Sequence, residues 1–405
     1  MSNYILFDDT TRRDLLPLTY TRPIADLRIG ILTIRQKWEQ ALNQPTSILT
    51  APYLQTLFPM NWDKDNSNVY INSSVLPNKQ LLEQINNLPE NEIIIDEEII
   101  IAAKSIRSHP HILHRSTNEQ VPLVSSFPSQ APKAPYRKIN NLWDIFIYNA
   151  EAIQHDFEVL TYNRTSENLS ATNTIINRNN IFVEEGASIQ GAFLNAEGGP
   201  IYIGKEATVM EGSLIRGPFA LCEHGQVKMG AKIYGATTIG PYSKIGGEVS
   251  NSVIWGYSNK GHDGFLGNSV LGAWCNLGAD TNTSNLKNNY SEVQIWNYPQ
   301  GDFMPTGQQF CGLMMGDHSK SGINTMFNTG TVVGVASNIF GSGFPSKFIP
   351  SFAWGGSEGF TTHKIDKAIE TAKRVYERRG LLFSKLEEEV LKTIFEETTL
   401  HRKEL

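Results

Sequence analysis

Between about residue 181 and residue 341 one short unit keeps returning: an aliphatic residue, often a glycine, two variable residues, then a small residue. It reads Val183-Glu-Glu-Gly186-Ala187-Ser188-Ile189, then Ile203-Gly204-Lys-Glu-Ala207-Thr-Val209. It returns as Val227-Lys-Met-Gly230-Ala231-Lys-Ile233, as Ile239-Gly240-Pro-Tyr-Ser243-Lys-Ile245, and as Leu271-Gly272-Ala273-Trp-Cys-Asn276-Leu277-Gly278-Ala279. A period of six fits neither the helical repeat nor simple strand alternation. It is the signature of a parallel β-helix, in which each rung is a short strand followed by a tight corner. The aliphatic residue points into the coil, and glycine lets the chain turn without a Cβ clash. Such a coil stacks on itself and exposes long flat faces, which commonly pack against copies of the same chain.

The rest of the composition narrows the partners. A chain of 405 residues accommodates two or three domains. Its net charge of −6 supplies no basic field, so nucleic acid is not an expected partner. No apolar run approaches the length of a membrane span. The start, Met1-Ser-Asn-Tyr-Ile-Leu-Phe-Asp8-Asp9, lacks the basic and apolar regions of a secretory signal. The cytoplasm is therefore the expected compartment, and Asn163-Arg164-Thr165 is a chance sequon. Cys222, Cys275 and Cys311 are odd in number and lie in or between rungs, so they read as buried free thiols. No Cys/His spacing suggests a zinc site.

Three segments are expected. Residues 1–162 form an α/β domain, 175–350 the β-helix, and 361–405 C-terminal helices. In the first, Tyr4 to Phe7, Val69 to Ile71 and Ile93 to Ile95 read as strands. Residues 28–42 read as a helix with Ile31, Ile34, Trp38 and Leu42 on one face, and Asn78 to Ile85 as another. Strands alternating with helices predict a parallel sheet. Asn141 to Phe157 reads as one helix, and the polar stretch 163–173 as the boundary. An insertion near 287–310 interrupts the rungs. Two helices, Lys364 to Arg379 and Leu381 to Phe395, are expected to cap the open end of the coil.

The first strand runs into Thr10-Thr-Arg12-Arg13-Asp-Leu-Leu-Pro17-Leu18-Thr19-Tyr-Thr-Arg22-Pro23. Ligands of α/β sheets sit beyond strand carboxyl ends, so Arg12, Arg13 and Arg22 are candidate phosphate holders. A solvated basic loop is the plainer alternative.

Leu16-Pro17-Leu18-Thr19-x-x-Arg22-Pro23, followed by Gly30-Ile31-x-x-Ile34, resembles the sugar-1-phosphate nucleotidyltransferases. Joined to hexapeptide rungs, the chain resembles the bifunctional GlmU-type family. These enzymes fuse N-acetylglucosamine-1-phosphate uridyltransferase to glucosamine-1-phosphate N-acetyltransferase. The resemblance implies a shortened Rossmann-like nucleotidyltransferase domain, a left-handed parallel β-helix and a homotrimer. It implies UTP or another NTP with Mg²⁺ for one step, acetyl-CoA for the other, and sugar phosphates as substrates. The first half departs from the pattern. Asp8-Asp9-Thr10-Thr11 replaces the glycine-rich loop, Arg22 replaces a Lys, and Asn72 stands where the family's metal-holding Asp is expected. Asp144, in Leu142-Trp143-Asp144, resembles an element near the sugar end.

The second half matches at Lys260-Gly261-His262-Asp263-Gly264-Phe265-Leu266-Gly267-Asn268, then Asn276-Leu277-Gly278-Ala279, then Ser284-Asn285-Leu286-Lys287. The family's catalytic base falls on His262, a sugar-contacting Asn on Asn276, and a residue near the acetyl group on Asn285. Histidine suits removal of a proton from an attacking amine. Lys260, Lys287 and Glu248 are further substrate-side candidates. Lys320, Ile323, Phe340 and Gly341 are candidates for the acyl-CoA groove, with Lys347 as a further phosphate contact. Phe265 stands for a common Tyr, Leu286 for another, and Ser250 for a phosphate-binding Lys. His318 is a second candidate base and reads better as a corner residue. Two other functions remain open: a nucleotidyltransferase using the coil as a trimer scaffold, and a non-catalytic sugar-nucleotide-binding trimer.

Overall fold

The computed structural model describes residues 2–105 and 128–403. The chain forms two compact units. One comprises Met1–Leu15, Thr21–Leu27 and Leu32–Asn141, the other Leu16–Tyr20, Arg28–Ile31 and Leu142–Leu405.

The first unit is built on a sheet of six strands among the described residues: β1 (Asn3–Phe7), β2 (Ser47–Leu49), β3 (Asn68–Asn72), β4 (Ile93–Asp96), β5 (Ile99–Ser105) and β6 (Ser129–Gln130). Their order is β2-β1-β3-β5-β4-β6. β1 runs parallel to both β2 and β3. β5 runs antiparallel to β3 and β4, so the sheet is mixed rather than all parallel. The cause is local. β4 and β5 are joined through Glu97, whose φ of 52° makes a turn too tight for a crossover helix. The helix expected over 28–42 covers only Ile34–Leu42. Thr33 starts it with a capping box: its side chain accepts from the Gln36 amide, and Gln36 Oε1 accepts from the Thr33 amide. Trp38 is fully buried and donates to the Val75 carbonyl at 2.9 Å. Asn78 caps the helix Lys79–Asn86 through the Leu81 amide.

The second unit is a parallel β-helix with three faces, of six, nine and ten strands in the described residues. Neighbouring rungs pair in parallel, as in Ile239↔Ile254↔Leu271↔Met315↔Val333↔Ile349. These aliphatic side chains form one continuous buried column. One corner turns on left-handed residues in successive rungs: His224, Tyr242, Tyr257, Trp274 and His318 have φ between 53° and 63°. A serine follows at the same place in most of these rungs. Ser258 Oγ donates to the Gly272 carbonyl (2.7 Å) and accepts from the Cys275 amide (2.9 Å). Ser319 does the same with the Gly334 carbonyl and the Ser337 amide. These hydroxyls satisfy backbone groups that the corners leave outside the strand ladder. All three cysteines are free and buried.

The helix expected over 141–157 is two, Asp144–Ile147 and Asn149–Thr161. The longer one packs on the β-helix, although it lies inside the expected 1–162 segment. Ile153 and Phe157 cluster with Phe182, Tyr202 and Ala220, and Asn149 donates to the Ala236 carbonyl at 2.9 Å. The insertion holds an antiparallel hairpin, Gln294–Asn297 with Asp302–Pro305.

The C-terminal helices are Ile365–Glu377 and Lys385–Glu397. They lie along a corner of the coil rather than only across its end. Tyr376 stacks on Trp274 at 4.0 Å between ring centroids, and Phe395 meets Phe352 edge-on at 5.1 Å. The reason is the aromatic corner itself, which offers the helices an apolar flank. No helix of the described residues is long and apolar enough to cross a membrane.

Two candidate functional sites

In the first unit, the chain leaves β1 to build β2 on one side and β3 on the other. The gap beyond their carboxyl ends is a topological switch point, where α/β sheets bind ligands. The loop after β1 fills it with two carboxylates. Asp8 Oδ1 accepts from the Ile24 amide at 3.0 Å and Oδ2 from the Thr50 hydroxyl at 2.6 Å. Burial pushes Asp8 up to about 6, against the lowering influence of Arg12 beside it. Asp9 Oδ1 accepts from the Thr11 amide, and Asp9 Oδ2 accepts from Asn72 Nδ2 at 2.9 Å. The Asp9 carboxylate occupies the Thr11 amide of the loop, a group that a glycine-rich loop would leave for a pyrophosphate.

Cations surround the pair. Arg12 lies 3.8 Å from Asp8 and donates to the Tyr53 hydroxyl at 2.6 Å. Lys138 is buried, with Nζ 2.5 Å from Thr11 Oγ1, 2.8 Å from Asn140 Oδ1 and 3.6 Å from Asp9 Oδ2. The sequence reading missed Lys138, because no local motif ties it to the distant Asp9. Arg13 is exposed, and Arg22 is half-buried near Asp26.

Asn72 does not suit a metal. Its Oδ1 accepts from both the amide and the hydroxyl of Ser74, and its Nδ2 donates to Asp9 and the Ile100 carbonyl. No group of three or more His, Cys, Asp or Glu side chains suited to a metal occurs among the described residues. The donors present do not fit Mg²⁺ at the Asn72 position.

The second candidate site lies on one edge of the β-helix. Three turns stack there: Gly261–Gly264, Gly278–Thr281 and Gly322–Thr325. The Asp280 amide donates to the Asp263 carbonyl, and the Asn324 amide to the Ala279 carbonyl. His262 is exposed on the first turn, and its ring makes no hydrogen bond with the described residues. Gly264 closes that turn at φ 111°, where a Cβ would collide with the Thr281 carbonyl oxygen. Ile323 projects from the third turn, 71% exposed. Phe340 follows on the next rung beside Gly322, and Gly341 opens onto free space at φ 103°. The edge thus brings His262, Ile323, Phe340 and Gly341 into one line, with rungs about 4.8 Å apart.

Lys260 is corrected by the structure. It occupies the inward position that Ile245 and Leu277 hold in adjacent rungs, and it is 1% exposed. Its ammonium donates to the His262 and Asp263 carbonyls, so it cannot hold a substrate phosphate. Burial lowers it to about 8. Asn276 is exposed and outward, in register between Asn259 and Lys320. Asn285 sits at a different corner, donating to Asn268 Oδ1 at 2.9 Å. Lys287 donates to the Glu292 carbonyl at 2.5 Å, and Glu248 accepts from the Tyr234 hydroxyl at 2.5 Å. Lys320 donates to the His318 carbonyl, and burial lowers its ammonium. Lys347 donates to the Gln294 carbonyl. Ser250 is buried, and so is Asp144 at the start of its short helix. His318 is a corner residue with its ring in the aromatic stack.

Residues 4–165 match the sugar nucleotidyl transferase family model. The chain is similar to the bifunctional protein GlmU of Methanocaldococcus jannaschii, 30% identical over 139 residues, which is 34% of this chain and 28% of that protein. It is also similar to a bifunctional sugar-1-phosphate nucleotidylyltransferase/acetyltransferase of Sulfurisphaera tokodaii, 32% identical over 100 residues, 24% of each. The chain therefore spans about a quarter of the length of these curated relatives. Among solved structures, LpxA, a UDP-N-acetylglucosamine acyltransferase from Bacteroides fragilis, overlaps 58% of this chain and 84% of its own, at 15% identity and a TM-score of 0.24.

Proposed function

We propose that the chain is a two-site transferase of nucleotide-sugar synthesis. At the β-helix edge it moves an acetyl group from acetyl-CoA to the amine of glucosamine-1-phosphate or a similar aminosugar phosphate. The observation that carries this reading is His262 itself, a solvent-facing imidazole on a turn held from inside by Lys260. The amine attacks the thioester carbonyl while His262 takes its proton. The C–S bond then breaks, and the departing thiolate takes that proton from the imidazolium. Asn276 offers an amide to sugar hydroxyls or to the oxyanion. Ile323 and Phe340 give the acyl-CoA chain an apolar track along the same edge.

In the first unit, UTP lies at the switch point, a sugar 1-phosphate oxygen attacks its α-phosphorus, and the bond from that phosphorus to the bridging oxygen breaks to release pyrophosphate and leave a UDP-sugar. Arg12 and Arg13 face the UTP phosphates, and Lys138 holds Asp9 and Thr11 in the loop beneath them. The match of residues 4–165 to the sugar nucleotidyl transferase model supports this half. A homotrimer is proposed through the flat faces, one of which exposes Leu214 and Tyr234.

The test is incubation of the full chain with glucosamine-1-phosphate, acetyl-CoA, UTP and Mg²⁺, with products resolved by mass spectrometry. His262→Ala is expected to abolish the acetylated product and leave uridylylation intact. Equal acetylation by the variant would remove His262 from its role. A second reading is favoured by the Asp8 and Asp9 carboxylates that occupy loop amides: the first unit binds a sugar nucleotide without turning it over. UDP-sugar binding with no UTP-derived product would establish it.

A further inference from the structure

Four cations gather on the β-helix, on rungs that adjoin the turn carrying His262: Lys244 pairs with Asn259 and lies beside Gly261. Lys244 points outward from the strand Lys244–Ile245, in register between Gln226 and Asn259. Lys228 lies beside it, with Nζ 3.3 Å from Gln226 Oε1. Arg378 and Arg379 follow the helix Ile365–Glu377, and Arg379 Nη2 lies 3.5 Å from Asn259 Oδ1. Burial, and then the positive charge of Arg379, Lys228 and Arg378, hold the Lys244 ammonium below its usual range. None of the four forms an ion pair with a carboxylate among the described residues. The nearby carboxylate is Glu223, which acts on the Tyr257 hydroxyl together with Arg379.

Arginines at a helix C-terminus favour its dipole, and this accounts for Arg378 and Arg379. It does not account for Lys228 and Lys244, which belong to separate rungs of the coil. Nor does overall charge, since the chain carries −6. Like charges brought together on one face destabilise the fold unless an anion offsets them. We propose that Lys228, Lys244, Arg378 and Arg379 bind the diphosphate group of a small molecule. Arginines supply forked donors and lysines compact charge. The side-chain amides of Gln226 and Asn259 flank Lys244 from the rungs on either side, each about 4.8 Å away, so a diphosphate seated on Lys244 has a polar neighbour on both sides. The patch is compact, whereas a nucleic acid needs an extended basic stripe. The patch adjoins the proposed acetyl-transfer edge, and binding of a diphosphate there is measured separately from either transfer reaction.

Because the switch point of the first unit also attracts phosphates, the test must resolve position. The full chain is treated with an amine-acylating ester, and modification of individual lysines is followed by mass spectrometry. Inorganic pyrophosphate is expected to slow modification of Lys228 and Lys244 but not of exposed Lys205. In Arg379→Gln, protection of Lys228 is expected to need about tenfold more pyrophosphate, the loss of one charge-assisted contact. Lys244→Gln should do the same while melting no lower than wild type without ligand, which separates lost binding from lost folding. UDP and coenzyme A run as separate arms, and the one protecting at the lower concentration identifies the source. The proposal is overturned if pyrophosphate gives no protection, if Arg379→Gln leaves protection unchanged, or if a short RNA protects at lower concentration than pyrophosphate.

Discussion

Lys260 holds the carbonyl of His262 from inside the coil while the imidazole of His262 faces solvent. One rung therefore exchanges an aliphatic core residue for a charged clamp. Lys260→Met keeps the length and removes the charge. Losing a buried cation leaves stability unchanged or raises it by about 1–4 kcal/mol. The turn loses its clamp, and acetyl transfer is expected to fall with kcat more than with KM. The pH dependence separates this from plain repacking. Lys260 titrates at about 8 in the fold and 10.5 when unfolded. Between those values the unfolded chain binds more protons, so wild-type stability rises with pH, by on the order of 3 kcal/mol from this group. Urea unfolding of both proteins from pH 7 to 10.5 checks it. Parallel curves would remove the buried cation from the account.

Asp8 behaves in the opposite sense. Its folded value of about 6 lies above the ordinary 3.8. Stability from this group is fully present below 3.8 and is lost as pH rises through 6. Asp8→Asn keeps both contacts, with Oδ1 accepting from Ile24 and Nδ2 donating to the Thr50 oxygen. The variant is expected to be more stable at pH 7.5 by up to about 3 kcal/mol, with the gain vanishing below pH 4. Denaturant midpoints at the two pH values measure it. A variant less stable at pH 7.5 would show that the Asp8 charge is compensated in the fold.

The coil was legible because its signal is repetitive and inward. Ile239, Ile254, Leu271 and Met315 each meet the same neighbours, so a short pattern recurs many times. Lys260 breaks that pattern, and an inward lysine looks like any other in sequence. The first unit was less legible because its decisive features join distant residues. The antiparallel β5 depends on one left-handed residue, Glu97, without the Gly or Asn that marks such turns. Lys138 reaches Asp9 only through the fold. Thr33 and Gln36 carry the capping-box pattern that marks the start of the helix at Ile34, three residues beyond the first apolar residue of the face, Ile31.

Cys275 stands in the serine ladder where Ser243, Ser258 and Ser319 stand in other rungs. Its thiol reaches the Gly316 carbonyl at 3.3 Å, and burial pushes it up to about 12. Cys275→Ser should therefore be tolerated within about 1 kcal/mol, as a shorter and stronger donor takes the same acceptor. Ser258→Ala leaves the Gly272 carbonyl and the Cys275 amide unpaired in the core, and should cost about 1–3 kcal/mol. Thermal unfolding of the two variants side by side decides it. A larger loss for Cys275→Ser than for Ser258→Ala would show that this rung is set by sulfur packing rather than by hydrogen bonding.

Tyr376 joins the aromatic corner to the C-terminal helices, between Trp274 and Phe383. Tyr257 stacks on Trp274 at 4.2 Å, and Trp274 on Tyr376 at 4.0 Å. The Tyr376 hydroxyl donates to Glu387 at 2.9 Å, which ties the two C-terminal helices to each other as well as to the coil. Tyr376→Ala removes a buried ring, a change that typically costs about 3–5 kcal/mol. That loss should fall on the helices alone, because the rungs keep their own ladder and apolar column. Hydrogen exchange is expected to quicken across 365–397 while the strands from Val253 to Ile349 keep their protection. Phe replaces the ring but not the hydroxyl, so Tyr376→Phe should recover most of the protection. Exchange that quickens in the strands as well would mean that the helices and the coil unfold as one cooperative body.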